Sequence, residues 1–256
     1  MRQWAAFVKK EGLELLRSGR LFLLLLLFCL VGVMNPAMAK LTPWLMGLVS
    51  EQLAESGMMV GEIVVDAMTA WTQFYKNMPI MLLVMVVMFG GTVVVELQKG
   101  TLIPIVAKGM KRGRILGAKA LSAAAVWTGG SILSFAITYA YSAYFWDNGI
   151  AAHLFFGAFC FWLFGIWLLS VFLPASSFAN STAAVILTVG ICFAVSYVLG
   201  LIPAVKSYSP AYLLESLPLL TGEMTTGDYT AALCVTAGLT VFHMIAGVWL
   251  FNRKQL

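Results

Sequence analysis

Charge is what this chain has least of. Only 11% of its 256 residues are Asp, Glu, Lys or Arg, against about 25% in an ordinary soluble domain. Hydrophobic residues make up 61%, and the mean hydropathy is +0.91. So few charges cannot clothe a soluble core, which excludes a soluble domain, a disordered chain and a secreted disulfide scaffold. Cysteines are four, Cys29, Cys160, Cys192 and Cys234, with no Cys-x-x-Cys among them. That spacing suggests neither a zinc site nor a redox pair, and they read as small apolar residues. Histidines are two. His153 falls at an interface, and His243 lies inside a hydrophobic run, where a neutral ring bonded to a neighbouring helix is expected. No Asp, Glu, Lys or Arg lies deep in any hydrophobic run, which disfavours a proton-coupled carrier, an intramembrane hydrolase and a prenyltransferase. A P-loop is missing too, because Gly109, Gly113, Gly117 and Lys119 have the wrong spacing. No catalytic residue and no metal ligand is assigned.

What is present is hydrophobic length. A spanning helix needs about 20 mainly apolar residues. Uncharged runs of that size are 21–39, 77–95, 120–146 and 229–252. The stretch 148–205 holds 58 residues without one Asp, Glu, Lys or Arg, far more than one crossing of about 30 Å requires. It must fold back, and the turn-forming sequence from Pro174 to Ser181 is the place. Spans at about 152–173 and 182–203 result, six in all. The expectation is an all-α polytopic membrane protein forming one domain over 1–256. Thirteen of the 16 Lys and Arg fall in the N-terminal segment, the segment after span 2 and the C-terminus. By the positive-inside rule both termini are cytoplasmic. Eight of the 11 acids fall on the other side. The basic balance is thus a topology signal and implies no nucleic acid.

Between the spans, residues 1–19 read as an amphipathic helix lying in the interface. Trp4, Val8 and Leu15 fall on one stripe, flanked by Phe7, Ala5 and Leu16. Arg2, Lys9, Lys10, Glu14 and Arg17 take the other side, near anionic lipid headgroups. Ala37-Met38-Ala39 imitates a signal-peptide cleavage site, but the basic region before it is long for one, and the segment is expected to stay attached. Asn35-Pro36 should end or kink span 1. The acidic segment 40–76, with Glu51, Glu55, Glu62 and Asp66, is expected to form short helices on the outer surface. Residues 203–228 are apolar but broken by Pro203, Pro210, Pro218 and Gly222, which suggests a re-entrant hairpin.

The most ordered loop is 96–119. Glu96 closes span 2, Gly100-Thr101-Leu102 leads into a short apolar segment, and Lys108, Lys111, Arg112 and Arg114 form a basic turn before Gly117-Ala118-Lys119 opens span 3. Here the chain resembles the type-2 permeases of ATP-binding-cassette (ABC) exporters. Those commonly carry an E-K-G-T-L-E-like segment, a basic run and a G-K-like start to the next span. The N-terminal Lys9-Lys10-Glu11 with Leu15-Leu16-Arg17 is similar to the family's elbow helix. The run from Tyr208 to Leu214 is similar to its outer hairpin. Pro104-Ile105 departs from the Glu-Leu more often found there, which alters how the short helix would seat on a partner.

The resemblance implies two permeases, identical or different, with two copies of a separate ATPase subunit that binds ATP and magnesium. Glu96, Gly100, Thr101, Leu102, Ile105, Val106, Lys108, Arg112 and Arg114 would couple the chain to that ATPase. Leu102, Ile103, Ile105 and Val106 need an apolar surface to cover, and a groove on the partner would supply it. Trp4, Phe7, Val8, Lys9, Lys10, Leu15 and Arg17 would form the elbow. The translocation path would run along spans 1, 2 and 5, with Met81, Met85, Met88 and Tyr197 as candidate lining. Methionine suits an adaptable contact surface, and a lipid-facing stripe accounts for the same residues equally. Small permeases of this kind export toxin peptides or confer resistance and immunity to antibiotics and lantibiotics. The dry spans favour an amphipathic peptide cargo, with a drug or lipid-like cargo, or a non-ABC channel or carrier, as the alternatives. The setting implied is a prokaryotic plasma membrane.

Overall fold

The computed structural model describes residues 2–55 and 65–254, with side chains for 3–47 and 65–254. Glu62 of the acidic segment lies outside the described residues, as do the side chains of Arg2, Glu51 and Glu55. Among the described residues the chain is helical with no strand. Helix α1 (Arg2–Arg17) turns at Gly19, whose φ of +71° is left-handed, into α2 (Arg20–Glu55). Then follow α3 (Ala67–Gly90), α4 (Thr92–Gln98), α5 (Ile103–Ala107) and α6 (Arg112–Phe145). Helices α7 (Leu154–Ser170), α8 (Phe172–Phe178), α9 (Thr182–Gly200), α10 (Leu217–Leu220) and α11 (Thr230–Arg253) complete it. Among the described residues six stretches are long and apolar enough to span a membrane, with α3–α4 and α7–α8 each counting as one.

The helices outrun the uncharged runs. In place of short surface helices over 40–76, α2 continues past Lys40 and α3 begins at Ala67, where Asp66 Oδ1 caps it by accepting from Thr69 N at 3.0 Å. Lys40, a good helix former, continues α2 and sets its ammonium over the Phe145 ring, 3.6 Å from the centroid. Pro36 does not end it either. A proline there cannot donate to the carbonyl four residues back, and the Thr138 hydroxyl of α6 donates to that Gly32 oxygen instead, at 3.0 Å. Asn35 joins the patch, its amide donating to Thr138 Oγ1 at 3.4 Å and its oxygen accepting from Asn77 at 2.9 Å. This buried polar patch ties α2, α3 and α6 together. In 174–181, the helix persists to Phe178 and the turn shrinks to Ala179–Ser181, because the break falls earlier, at Val171. Pro174 then lies in the first turn of α8, where its missing N–H costs nothing.

Glycine notches set the helix spacing. A Cβ on Gly165 of α7 would meet the Trp127 indole at 2.3 Å, and one on Gly130 of α6 would meet the Phe28 ring at 2.2 Å. Both rings are fully buried. Gly190 of α9 has open space at the same point. Alanine at an unconstrained helical glycine is worth up to about 1 kcal/mol of stability, whereas overpacking a core costs about 1–3 kcal/mol. Gly165→Ala should therefore lower the thermal unfolding midpoint in detergent and Gly190→Ala should leave it level or raise it. Two shifts of the same sign would contradict this packing. At the end of the bundle opposite the termini, the broken segment 203–228 folds as a cap of short turns against α7, α9 and α11. Tyr212 stacks on Tyr229 at 4.9 Å, and Ser209 Oγ donates to the Ser196 carbonyl at 2.6 Å.

Candidate functional site

Five charged side chains meet at the end of the bundle that carries the termini. Helix α1 brings Lys10, Glu11 and Glu14, α4 brings Glu96, and α6 brings Lys119. Lys119 Nζ lies 3.0 Å from Glu11 Oε2 and 3.0 Å from Glu96 Oε2. Lys10 Nζ lies 3.1 Å from Glu11, 2.9 Å from Glu14 and 3.0 Å from Glu96. Glu11 and Lys119 are buried, at 7% and 6% exposure. Burial alone would lower the Lys10 ammonium, but hydrogen bonds to Glu14, Glu96 and Glu11 outweigh it and hold it above the usual lysine range. The Lys10 hydrogen bond in turn holds the Glu14 carboxyl below the usual carboxylate range. The three carboxylates have the spacing of a cation site, and the two ammonium groups are the cations that fill it.

Local structure explains why Glu96 can serve this cluster. Gly100 is left-handed at φ +66°, which ends the helix and swings Thr101 back. Thr101 N and Oγ1 both donate to the Glu96 carbonyl, at 3.1 and 3.2 Å. The backbone of Glu96 thus caps the turn while its side chain reaches α1 and α6. Beneath the charges lies a second apolar cluster of Phe7, Val93, Leu102, Met110, Ile115, Leu116, Leu173 and Phe251, separate from the main core.

This arrangement revises the sequence reading of both segments. On α1 the inward line runs Phe7, Glu11, Leu15, so its centre is a carboxylate and not an apolar residue. Val8 packs partly against the cluster, Trp4 is 37% exposed, and Lys9 and Arg17 are exposed, whereas Lys10 turns to the carboxylates. In the loop, Leu102 is only 1% exposed, and Ile105 and Val106 pack on the same cluster. For Leu102 the apolar cover comes from this chain and not from a partner's groove, whereas Ile105 and Val106 stay half-buried. Arg112 is also spoken for, donating to the carbonyls of Lys254 and Asn252 at the end of α11. Exposed residues of the loop include Ile103, at 53%, with Thr101, Pro104, Lys108, Lys111 and Arg114.

The candidate path residues separate. Met81 and Met85 are fully buried in the core of the chain, Met88 is half-buried, and Tyr197 is 55% exposed with its ring stacked on Phe193. The methionine stripe is therefore core packing, neither a lining nor a lipid face at its centre. His243 Nδ1 lies 3.1 Å from Ser170 Oγ on α7, the interhelical bond expected of it. The residues that sequence reasoning missed are Glu11, Glu14 and Lys119. Their only signal was a carboxylate beside the apolar stripe of α1, or a lysine placed inside a span's first turns.

A cavity of about 590 Å³ opens above the cluster between α1, α3–α4 and α6. A smaller one of about 340 Å³, almost wholly apolar, lies among α3, α6 and α7 and is lined by Phe74, Phe135, Phe155, Phe159 and Trp162. A family model described as "ABC-2 family transporter protein" matches residues 5–256. Among curated proteins no match to the chain was found.

Proposed function

The chain belongs to the ABC-2 family of transporter proteins, and from that premise we propose that it is the permease of an ATP-driven exporter for amphipathic peptides. As a member of that family it is a membrane subunit of an ABC transporter and associates with an ABC ATPase. The proposal adds the direction, the cargo and the stoichiometry: two ATPase copies, a second permease, both termini cytoplasmic, in a prokaryotic plasma membrane. ATP and magnesium then bind to the partner subunit. The observation that carries the reading is the Lys10–Glu11–Glu14–Glu96–Lys119 cluster. It joins the segment that would meet the ATPase to the N-terminal helix and to the start of α6. A push on α5 is thereby shared among three elements. The exposed Ile103 and Pro104, in a loop that also exposes Lys108 and Arg114, offer a small apolar surface in a basic segment for the contact.

The cargo reading draws on the aromatic crevice among α3, α6 and α7, which suits the apolar face of an amphiphile. Drug and lipid-like cargoes share that chemistry but lack a peptide's extended cationic face. The test is ATP hydrolysis by the permease reconstituted with its partner ABC ATPase. Cationic amphipathic peptides should stimulate the rate severalfold, with peptide accumulating on the far side of the vesicle membrane. Stimulation by apolar drugs alone, or peptide movement without ATP, would overturn the proposal.

A further inference from the structure

The cavity above the ion-pair cluster has an amphipathic lining that extends beyond the cluster itself. Its charged part holds four cations, Lys10, Arg20, Lys99 and Lys119, against three carboxylates, Glu11, Glu14 and Glu96. Lys10 and Lys119 are saturated by those carboxylates. Arg20 and Lys99 are exposed and form no close ion pair among the described residues, and the charged lining as a whole carries a net charge of +1. The lining also has an apolar part, which includes Leu15, Val87 and Met88. Position agrees with polarity. Arg20 is the first residue of α2 and Lys99 directly follows α4, so both stand at the ends of membrane-spanning helices. Val87 and Met88 lie more than two turns up α3–α4 from Lys99, toward the hydrocarbon.

We infer that this cavity seats an anionic phospholipid from the leaflet at the termini-bearing end, its phosphate between Arg20 and Lys99 and an acyl chain against Leu15, Val87 and Met88. A free phosphate satisfies the two cations but leaves the apolar part uncovered, and a neutral lipid leaves the excess charge. A zwitterionic headgroup brings its own ammonium, which competes with Arg20 and Lys99 for the phosphate. The lipid thus completes a wall of the same chamber whose floor is the ion-pair cluster, and it braces α1 against α3–α4. The inference holds whether or not the chain exports peptides, and its test uses the permease alone.

The full chain, purified and delipidated in detergent, is followed by thermal unfolding with phosphatidylglycerol, phosphatidylcholine or glycerol 3-phosphate added. Phosphatidylglycerol should raise the midpoint by several degrees, a shift in keeping with about 1–2 kcal/mol in a chain of this size. Phosphatidylcholine and glycerol 3-phosphate should each give a small fraction of that rise. Arg20→Gln with Lys99→Gln should abolish the increment while leaving the detergent midpoint near wild type, since both side chains are exposed. A charge-matched control, Lys76→Gln with Lys111→Gln, should keep it. An equal rise with phosphatidylcholine, an equal rise with glycerol 3-phosphate, or an increment that survives the Arg20/Lys99 change would each overturn the inference.

Discussion

Lys119→Met is expected to be among the most damaging single changes in the molecule, costing about 3–5 kcal/mol. Lys119 is a buried ammonium held between two carboxylates at 3.0 Å each. Its side chain is 5% exposed, with Glu11 at 9% and Glu96 at 15%, so solvent screens little of the interaction. Without it, Lys10 alone faces three carboxylates, and Glu11 keeps a buried charge with half its counter-charge gone. An intact buried pair adds little over an apolar replacement, whereas a broken one leaves an uncompensated charge. The asymmetry supplies the check. Lys119→Met combined with Glu11→Gln should recover a substantial part of the loss, because the charge left stranded is removed with its partner. Chemical unfolding in detergent measures both, and amide exchange across 96–107 should rise in the single variant and fall back in the double. Equal stability of Lys119→Met and wild type would mean that the cluster is a surface ornament.

The architecture was legible from charge spacing because a bilayer imposes a length on apolar runs that composition alone reveals. Six spans and a basic end follow from where Lys and Arg stand. The ends of the helices were not legible, since an uncharged run bounds what lipid can cover and not where a helix stops, and a proline stops one only where nothing takes up the freed carbonyl. Lys40 finds the Phe145 ring, and Gly32's freed carbonyl finds Thr138; both partners lie about a hundred residues away. The cluster was hidden for the same reason. Glu11, Glu96 and Lys119 each look like an isolated charge, and only the packing of α1 across α4 and α6 brings them to 3.0 Å. The loop 96–119 showed the opposite fault. Its apolar residues were visible in the sequence, but which of them face inward depends on Phe7, Ile115 and Phe251, which arrive from α1, α6 and α11.

That division of the loop yields the sharpest test of coupling. Leu102→Asp and Ile103→Asp place the same carboxylate one residue apart, and their outcomes should differ in kind. At Leu102 the charge enters a dry cluster where the native side chain is 1% exposed. Losing a buried leucine costs about 2–5 kcal/mol before any charge is counted, and the carboxylate adds its own desolvation. The variant should be poorly folded, and loss of ATPase binding there would say nothing about docking. At Ile103 the side chain is 53% exposed, so the permease should keep its wild-type unfolding midpoint. If the ATPase buries Ile103, the interface loses about 1.5–3 kcal/mol of apolar contact, at least a tenfold weakening. The carboxylate would otherwise sit in solvent on a basic loop, where charge alone predicts no harm to folding. Ile103→Asp should therefore fold and insert normally while co-purifying with little ATPase, and Ile103→Leu should restore it. Full ATPase recovery with the aspartate in place would move the docking surface off α5.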